Sequence, residues 1–181
     1  MSSIKTAVRI RPFLHNEITQ QQYRNTRLAV NLDRKEVSVR EEGSSHRRSY
    51  RFDYLLGQDC KQEDVYAQCG IDEMVTKALE GYHSTIFAYG QTGSGKTYTM
   101  QGEESPHEMG ALNGLIPQVT RALFDKVAKL RPSRSYTLSV SFLQIYSEKI
   151  YDLLNPSSLN NKTLLMSPAQ IEGLRLRWSK D

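Results

Sequence analysis

Residues 90 to 97 read Gly90-Gln91-Thr92-Gly93-Ser94-Gly95-Lys96-Thr97, a complete G-x-x-x-x-G-K-[ST] pattern. Each residue type in it has a mechanical task. Glycines accept backbone angles closed to other residues and let amide groups approach an anion. Successive N–H groups then form a nest for phosphates, and a following helix adds the positive end of its dipole. Lys96 is expected to reach the β- and γ-phosphates, and the Thr97 hydroxyl to ligate Mg²⁺. The chemistry implied is nucleoside triphosphate binding.

Such a loop must follow a buried strand and open a helix. Ser84-Thr85-Ile86-Phe87-Ala88-Tyr89 is a short, mostly apolar run with β-branched members. It predicts a strand buried on both faces, as in a parallel sheet. Upstream, Ile4, Val8 and Ile10 alternate with polar residues up to Pro12, which predicts a first strand. Leu28, Val30 and Leu32, then Val37 and Val39, predict an antiparallel hairpin, and Tyr50 with Phe52 a further short strand. The basic patch His46-Arg47-Arg48 with Arg51 reads as a solvated loop. Asp59-Cys60-Lys61-Gln62 resembles a capping box opening one helix that ends at Gly81. Its apolar stripe is Val65, Cys69, Val75, Ala78 and Leu79.

Beyond the phosphate loop, Gln101 to Gly114 reads as a mobile loop. Pro117 suits the first turn of a helix with Val119, Leu123, Val127 and Leu130 facing inward. Tyr136, Leu138, Val140 and Phe142 alternate as a strand, and Ile145 to Leu154 reads as a second strand or turn. Asn155 to Lys162 has loop composition, and Leu174, Leu176 and Trp178 alternate as a last strand. The order of elements predicts an α/β fold, a sheet flanked by helices of the P-loop NTPase kind.

The 181 residues suffice for one domain. No apolar run approaches the ~20 residues of a membrane span, and the basic N-terminal pattern is unlike a signal peptide. Two cysteines without metal spacing suggest neither a disulfide framework nor a zinc site, so a reducing, cytosolic compartment is the default. A net charge of +4 fits an acidic ligand or partner, without choosing among nucleotide, nucleic acid and acidic protein surface.

Several segments together resemble the motor domain of the kinesin family. Ile86 to Met100, IFAYGQTGSGKTYTM, is similar to that family's phosphate-loop segment. Arg9-Ile10-Arg11-Pro12 resembles its R-x-R-P. Val140 to Leu154, VSFLQIYSEKIYDLL, resembles its VSYxEIYNExIxDLL stretch, with Gln144 where the family has glutamate. Phe52-Asp53 and Gln62 to Tyr66 follow in order, so the resemblance runs from residue 4 to about 154.

That resemblance implies an ATP- or ADP-binding, Mg²⁺-dependent, microtubule-stimulated ATPase of the cytoplasm and cytoskeleton, with tubulin as partner and no nucleic acid. It implies that Gly90, Gln91, Thr92, Gly93, Ser94, Gly95, Lys96 and Thr97 hold the phosphates, with Thr97 on Mg²⁺. Arg9, Arg11 and Pro12 would border the adenine on one side and Tyr98 would stack on the other. Tyr146 and Lys149 would face the microtubule. The family's γ-phosphate-sensing N-x-x-S-S-R and D-x-x-G-x segments do not occur in the 181 residues. The expectation is therefore a partial motor domain over 1–181, the nucleotide-binding half, with no catalytic residue of its own. Residues 84 to 89 would then have an exposed edge, since in the family their neighbouring strands come from the later half. Two alternatives stay open: a half-domain that binds nucleotide or tubulin without turnover, and an unrelated P-loop ATPase. A guanine-specific site is disfavoured, because Leu164 stands where N-K-x-D from Asn161-Lys162 needs aspartate.

Overall fold

The computed structural model describes residues 4–14, 17, 27–41, 43–103, 114–130 and 135–154. The chain divides into two units, Met1–Ser133 and Arg134–Asp181.

In the first unit, β1 (Ala7–Arg9) lies parallel to β5 (Tyr54–Leu56), with Val8 opposite Leu55 and Arg9 opposite Leu56. Parallel neighbours need a long connection. Part of it is a three-stranded antiparallel sheet of β2 (Leu28–Asn31), β3 (Glu36–Arg40) and β4 (Arg47–Arg51), in that order. The predicted hairpin is therefore present as β2–β3, turning at Leu32–Lys35 where Lys35 takes φ +51°. The basic patch is corrected from loop to strand. Arg47, Arg48 and Arg51 sit on β4, every side chain of which is exposed. Backbone pairing and contacts such as Ser38 to Ser49 at 2.8 Å hold that strand, without apolar burial.

Where one helix was expected there are two, α1 (Gln62–Gln68) and α2 (Ile71–Leu79). Gly70 separates them at φ +69°, a left-handed conformation that glycine adopts without a Cβ clash. The predicted start holds in part: the Lys61 N–H donates to Asp64 Oδ2 at 2.8 Å, one arm of a capping box. The predicted end near Gly81 also holds.

The core gathers Leu56, Val65, Ile71 and Leu115, with Ile86, Met100, Val119 and both cysteines packed around it. Leu115 opens α4 (Leu115–Leu130), whose Val127 is buried and whose Val119, Leu123 and Leu130 are half-buried, as the pattern required. Short α3 (Lys96–Met100) follows the phosphate loop directly.

Residues 82 to 90 depart from the expected buried strand. They run without any ladder partner among the described residues. Ile86 and Ala88 face the core side and are half-buried, while Phe87 and Tyr89 are 82% and 91% exposed. The described strands form separate small sheets, within an α/β fold.

In the second unit, β6 (Leu143–Tyr146) and β7 (Lys149–Asp152) form an antiparallel hairpin. Its two turn residues, Ser147 and Glu148, both have positive φ, 48° and 62°, the conformation of a type I′ turn. Tyr136, Leu138, Val140 and Phe142 were expected to alternate along a strand, but among the described residues the strand begins only at Leu143. Most of the expected 101–114 loop, the 155–162 loop and the strand at Leu174–Trp178 lie outside the described residues.

Candidate functional site

The phosphate loop joins the extended 82–90 segment to α3, and its Gly93, Ser94, Gly95 and Lys96 line a cleft of about 930 Å³. The loop is shaped by backbone geometry. A Cβ on Gly90 would run into the Ser94 hydroxyl, so only glycine leaves that side of the loop open. Gly95, at φ +95°, turns the chain into α3 as its N-cap. The Ser94 N–H closes back on the Gln91 carbonyl at 3.1 Å. Lys96 Nζ donates to Gly90 O at 2.8 Å and Gln91 O at 2.9 Å, so the ammonium lies over the loop's own carbonyls. Thr97 is exposed beside it in the first turn of the helix. With five residues, α3 is little more than one turn.

The far wall comes from the end of β1. Arg11 donates from Nε to Gly93 O at 2.9 Å, gripping the tip of the loop. Its other nitrogens hold Glu17 in a two-pronged ion pair at 2.6 and 2.7 Å. The Arg11 guanidinium, helped by the Leu14 N–H, pulls the Glu17 carboxyl down from its ordinary 4.5 to about 2. Pro12 lines the same cleft.

Arg9 and Tyr98 are brought together more closely than expected. The Arg9 guanidinium lies over the Tyr98 ring at 5.2 Å from its centroid. A base between them would need about 7 Å, two stacking distances. The two side chains are therefore in direct cation–π contact, and in this arrangement do not sandwich a third plane. Tyr98 keeps 38% of its surface exposed.

One residue of the site escaped the sequence reading as a functional group. Gln62 is buried at 4% exposure. Its Oε1 accepts from Arg9 at 2.6 Å, its Nε2 donates to the Tyr98 carbonyl, and its own carbonyl accepts from Gln118 Nε2 at 3.1 Å. The available signal was positional. Gln62 shares the face of Val65, Tyr66 and Cys69, so it is a polar residue on an apolar helical stripe.

Nearby, burial raises the Cys60 thiol and pushes Cys69 to about 11, so neither is a ready nucleophile at neutral pH. No cluster of three or more His, Cys, Asp or Glu residues that could hold a metal occurs among the described residues. No described helix is long and apolar enough to cross a membrane.

Tyr146 and Lys149 belong to the second unit. They face each other across the ends of β6 and β7, flanking the Ser147-Glu148 turn, and both are exposed.

The family model for the kinesin motor domain matches residues 9–177. Kinesin-like protein KIF11 of Mus musculus is 39% identical over 174 residues, covering 91% of this chain and 16% of that protein. Kinesin-like protein KIF1C of Homo sapiens is 36% identical over 168 residues, covering 87% and 14%. Kinesin heavy chain of Syncephalastrum racemosum is 35% identical over 159 residues, covering 88% and 16%. The chain thus spans only 14% to 16% of the length of these curated relatives.

Proposed function

Because the chain belongs to the kinesin motor domain family, we propose that it is the ATP-binding part of a kinesin-like microtubule motor. In the complete protein, ATP hydrolysis would drive movement along microtubules in the cytoplasm. The observation that carries this reading is the loop from Gly90 to Thr97, with Lys96 drawn over it and Arg11 fixing its tip at Gly93.

Two of the three Lys96 N–H donors rest on loop carbonyls, which leaves a third for a phosphate oxygen. The ammonium is thus held at the place where triphosphate charge must be met. Pro12, Tyr98 and Arg9 form the apolar and aromatic wall for the base. The Thr97 hydroxyl would hold Mg²⁺. Such ions take few protein oxygens and rely on phosphates and water. A single exposed hydroxyl beside Lys96, with no acidic cage among the described residues, fits an ion that arrives with the nucleotide. When bound, Mg²⁺ neutralises charge developing on the phosphates. Tyr146 and Lys149 are proposed as a minor microtubule contact, on the strength of their exposed place at a hairpin end.

Replacing Lys96 by alanine tests the site. A charge-assisted contact is worth about 1.5–3 kcal/mol, so ATP affinity should fall at least about tenfold in the complete protein. Titration calorimetry showing unchanged affinity would reject the assignment. The sequence also keeps a second reading in play, because the 181 residues contain neither γ-phosphate-sensing motif. On that reading the chain holds nucleotide or tubulin without turnover. Microtubule-stimulated hydrolysis, present or absent, separates the two.

A further inference from the structure

Gln62 has no place in the function just proposed, yet among the described residues it is the polar side chain of the cleft that is buried. It is buried, and both ends of its amide are engaged. The assignment of the amide ends is forced by its partners. Arg9 offers only donors and the Tyr98 carbonyl only an acceptor, so Oε1 must face the first and Nε2 the second.

The geometry at Arg9 follows from this. A guanidinium carries all its N–H donors in its plane and leaves its faces free. Arg9 is held along its edge by Gln62 Oε1 at 2.6 Å, Thr99 Oγ1 at 3.0 Å and the Cys60 carbonyl at 3.2 Å. So held, it lies over the Tyr98 ring, with Cζ 5.2 Å from the centroid. Through its other end, Gln62 holds the backbone of Tyr98 itself. One amide therefore sets both members of the pair. The phosphate side has separate anchors: Lys96 on Gly90 and Gln91, and Arg11 on Gly93.

We propose that Gln62 is the positioning residue for the base-binding wall, locking Arg9 beneath Tyr98 so that the ring's open face is ready to receive the base of a nucleoside triphosphate. The inference rests on the nucleotide reading above. Gln118, which donates to the Gln62 carbonyl at 3.1 Å, ties this unit to α4. The base wall is in this way braced by β1, α1, α3 and α4, while the loop is gripped by Arg11, just past the end of β1.

The test uses the complete protein and two ligands, ATP and ribose 5-triphosphate, which lacks the base. Gln62→Leu removes both amide contacts. Gln62→Glu keeps an acceptor for Arg9 but sets an oxygen against the Tyr98 carbonyl. Gln62→Leu should weaken ATP about tenfold, the worth of one buried bond to a charged group, and Gln62→Glu about fivefold or more, the cost of leaving the Tyr98 carbonyl unpaired; both should leave ribose 5-triphosphate within about twofold. A general loss of structure would lower both affinities in parallel, and that result would overturn the proposal, as would an unchanged ratio. Should the leucine variant fail to fold, the glutamate variant decides. Wild-type protein that binds neither ligand would overturn the nucleotide reading itself. Wild-type protein that binds ATP, with variants that do not shift the ratio, overturns only the role of Gln62.

Discussion

Lys96 and Arg11 both grip the phosphate loop, but only one of them could be read from its neighbours. Lys96 bonds to carbonyls five and six residues away, inside one contiguous motif. Arg11 reaches Gly93 across 82 residues and Gln62 reaches Tyr98 across 36, pairings that no local spacing encodes. The family resemblance drew Arg9 and Tyr98 to the site, yet their direct contact, and the bonds that Gln62 makes to both, are visible only in the fold. Glu17 is the residue whose titration reports the Arg11 tie. Its folded value, about 2, lies below the ordinary 4.5. A lowered carboxyl value stabilises the fold above the ordinary value and loses that contribution as pH falls. The ion pair should therefore be intact above pH 4.5 and dissolve between 4.5 and about 2. Carbon-detected titration of the Glu17 carboxyl should show the low midpoint, and Arg11→Ala should return it toward 4.5. A midpoint already at the ordinary value in the unaltered protein would remove the pair.

At the level of elements, period and punctuation located most segments but misjudged how they end or join. The stripe from Val65 to Leu79 runs across Gly70 as though one helix were present, because a glycine inside a helical pattern is only mildly unfavourable. The break comes from Gly70 adopting a left-handed angle, with a Cβ there meeting the Tyr54 hydroxyl at 3.2 Å. Gly70→Ala should cost about 1–2 kcal/mol, read as a lower denaturant midpoint. A variant as stable as the parent would mean that α1 and α2 can merge. β4 was anticipated only at its end, as the short strand at Tyr50 and Phe52, for the opposite reason. RRSYR carries no apolar face to detect, and it is held to β3 by backbone pairing with the Ser38–Ser49 contact and the Arg51–Glu36 ion pair. The run at 84–89 had the composition of a doubly buried strand, but only alternate residues contact the core. Composition reports the capacity for burial, whereas burial itself needs neighbouring elements on both sides.

For the molecule as a whole, the division at Ser133 assigns the nucleotide cleft to the first unit and the Tyr146–Lys149 hairpin end to the second. A lone rim charge chiefly tunes association rate and salt response. In a complete motor, Lys149→Ala should thus weaken microtubule affinity modestly and flatten its dependence on ionic strength. Altered nucleotide affinity with an unchanged salt slope would count against that contact. The extended segment ahead of the loop carries the other whole-molecule consequence. In these 181 residues its backbone has no ladder partner among the described residues, and Phe87 and Tyr89 stack on each other at 6.4 Å, facing outward. In deuterated solvent, the amides of Ile86, Phe87 and Ala88 should exchange nearly as fast as in an unstructured peptide; slow exchange in a purified monomer would refute this. Bare backbone beside bare aromatic rings is also what holdase chaperones capture and what self-association consumes. Left alone at rising concentration, the chain should leave solution by a reaction of order higher than one, nucleated at Phe87 and Tyr89.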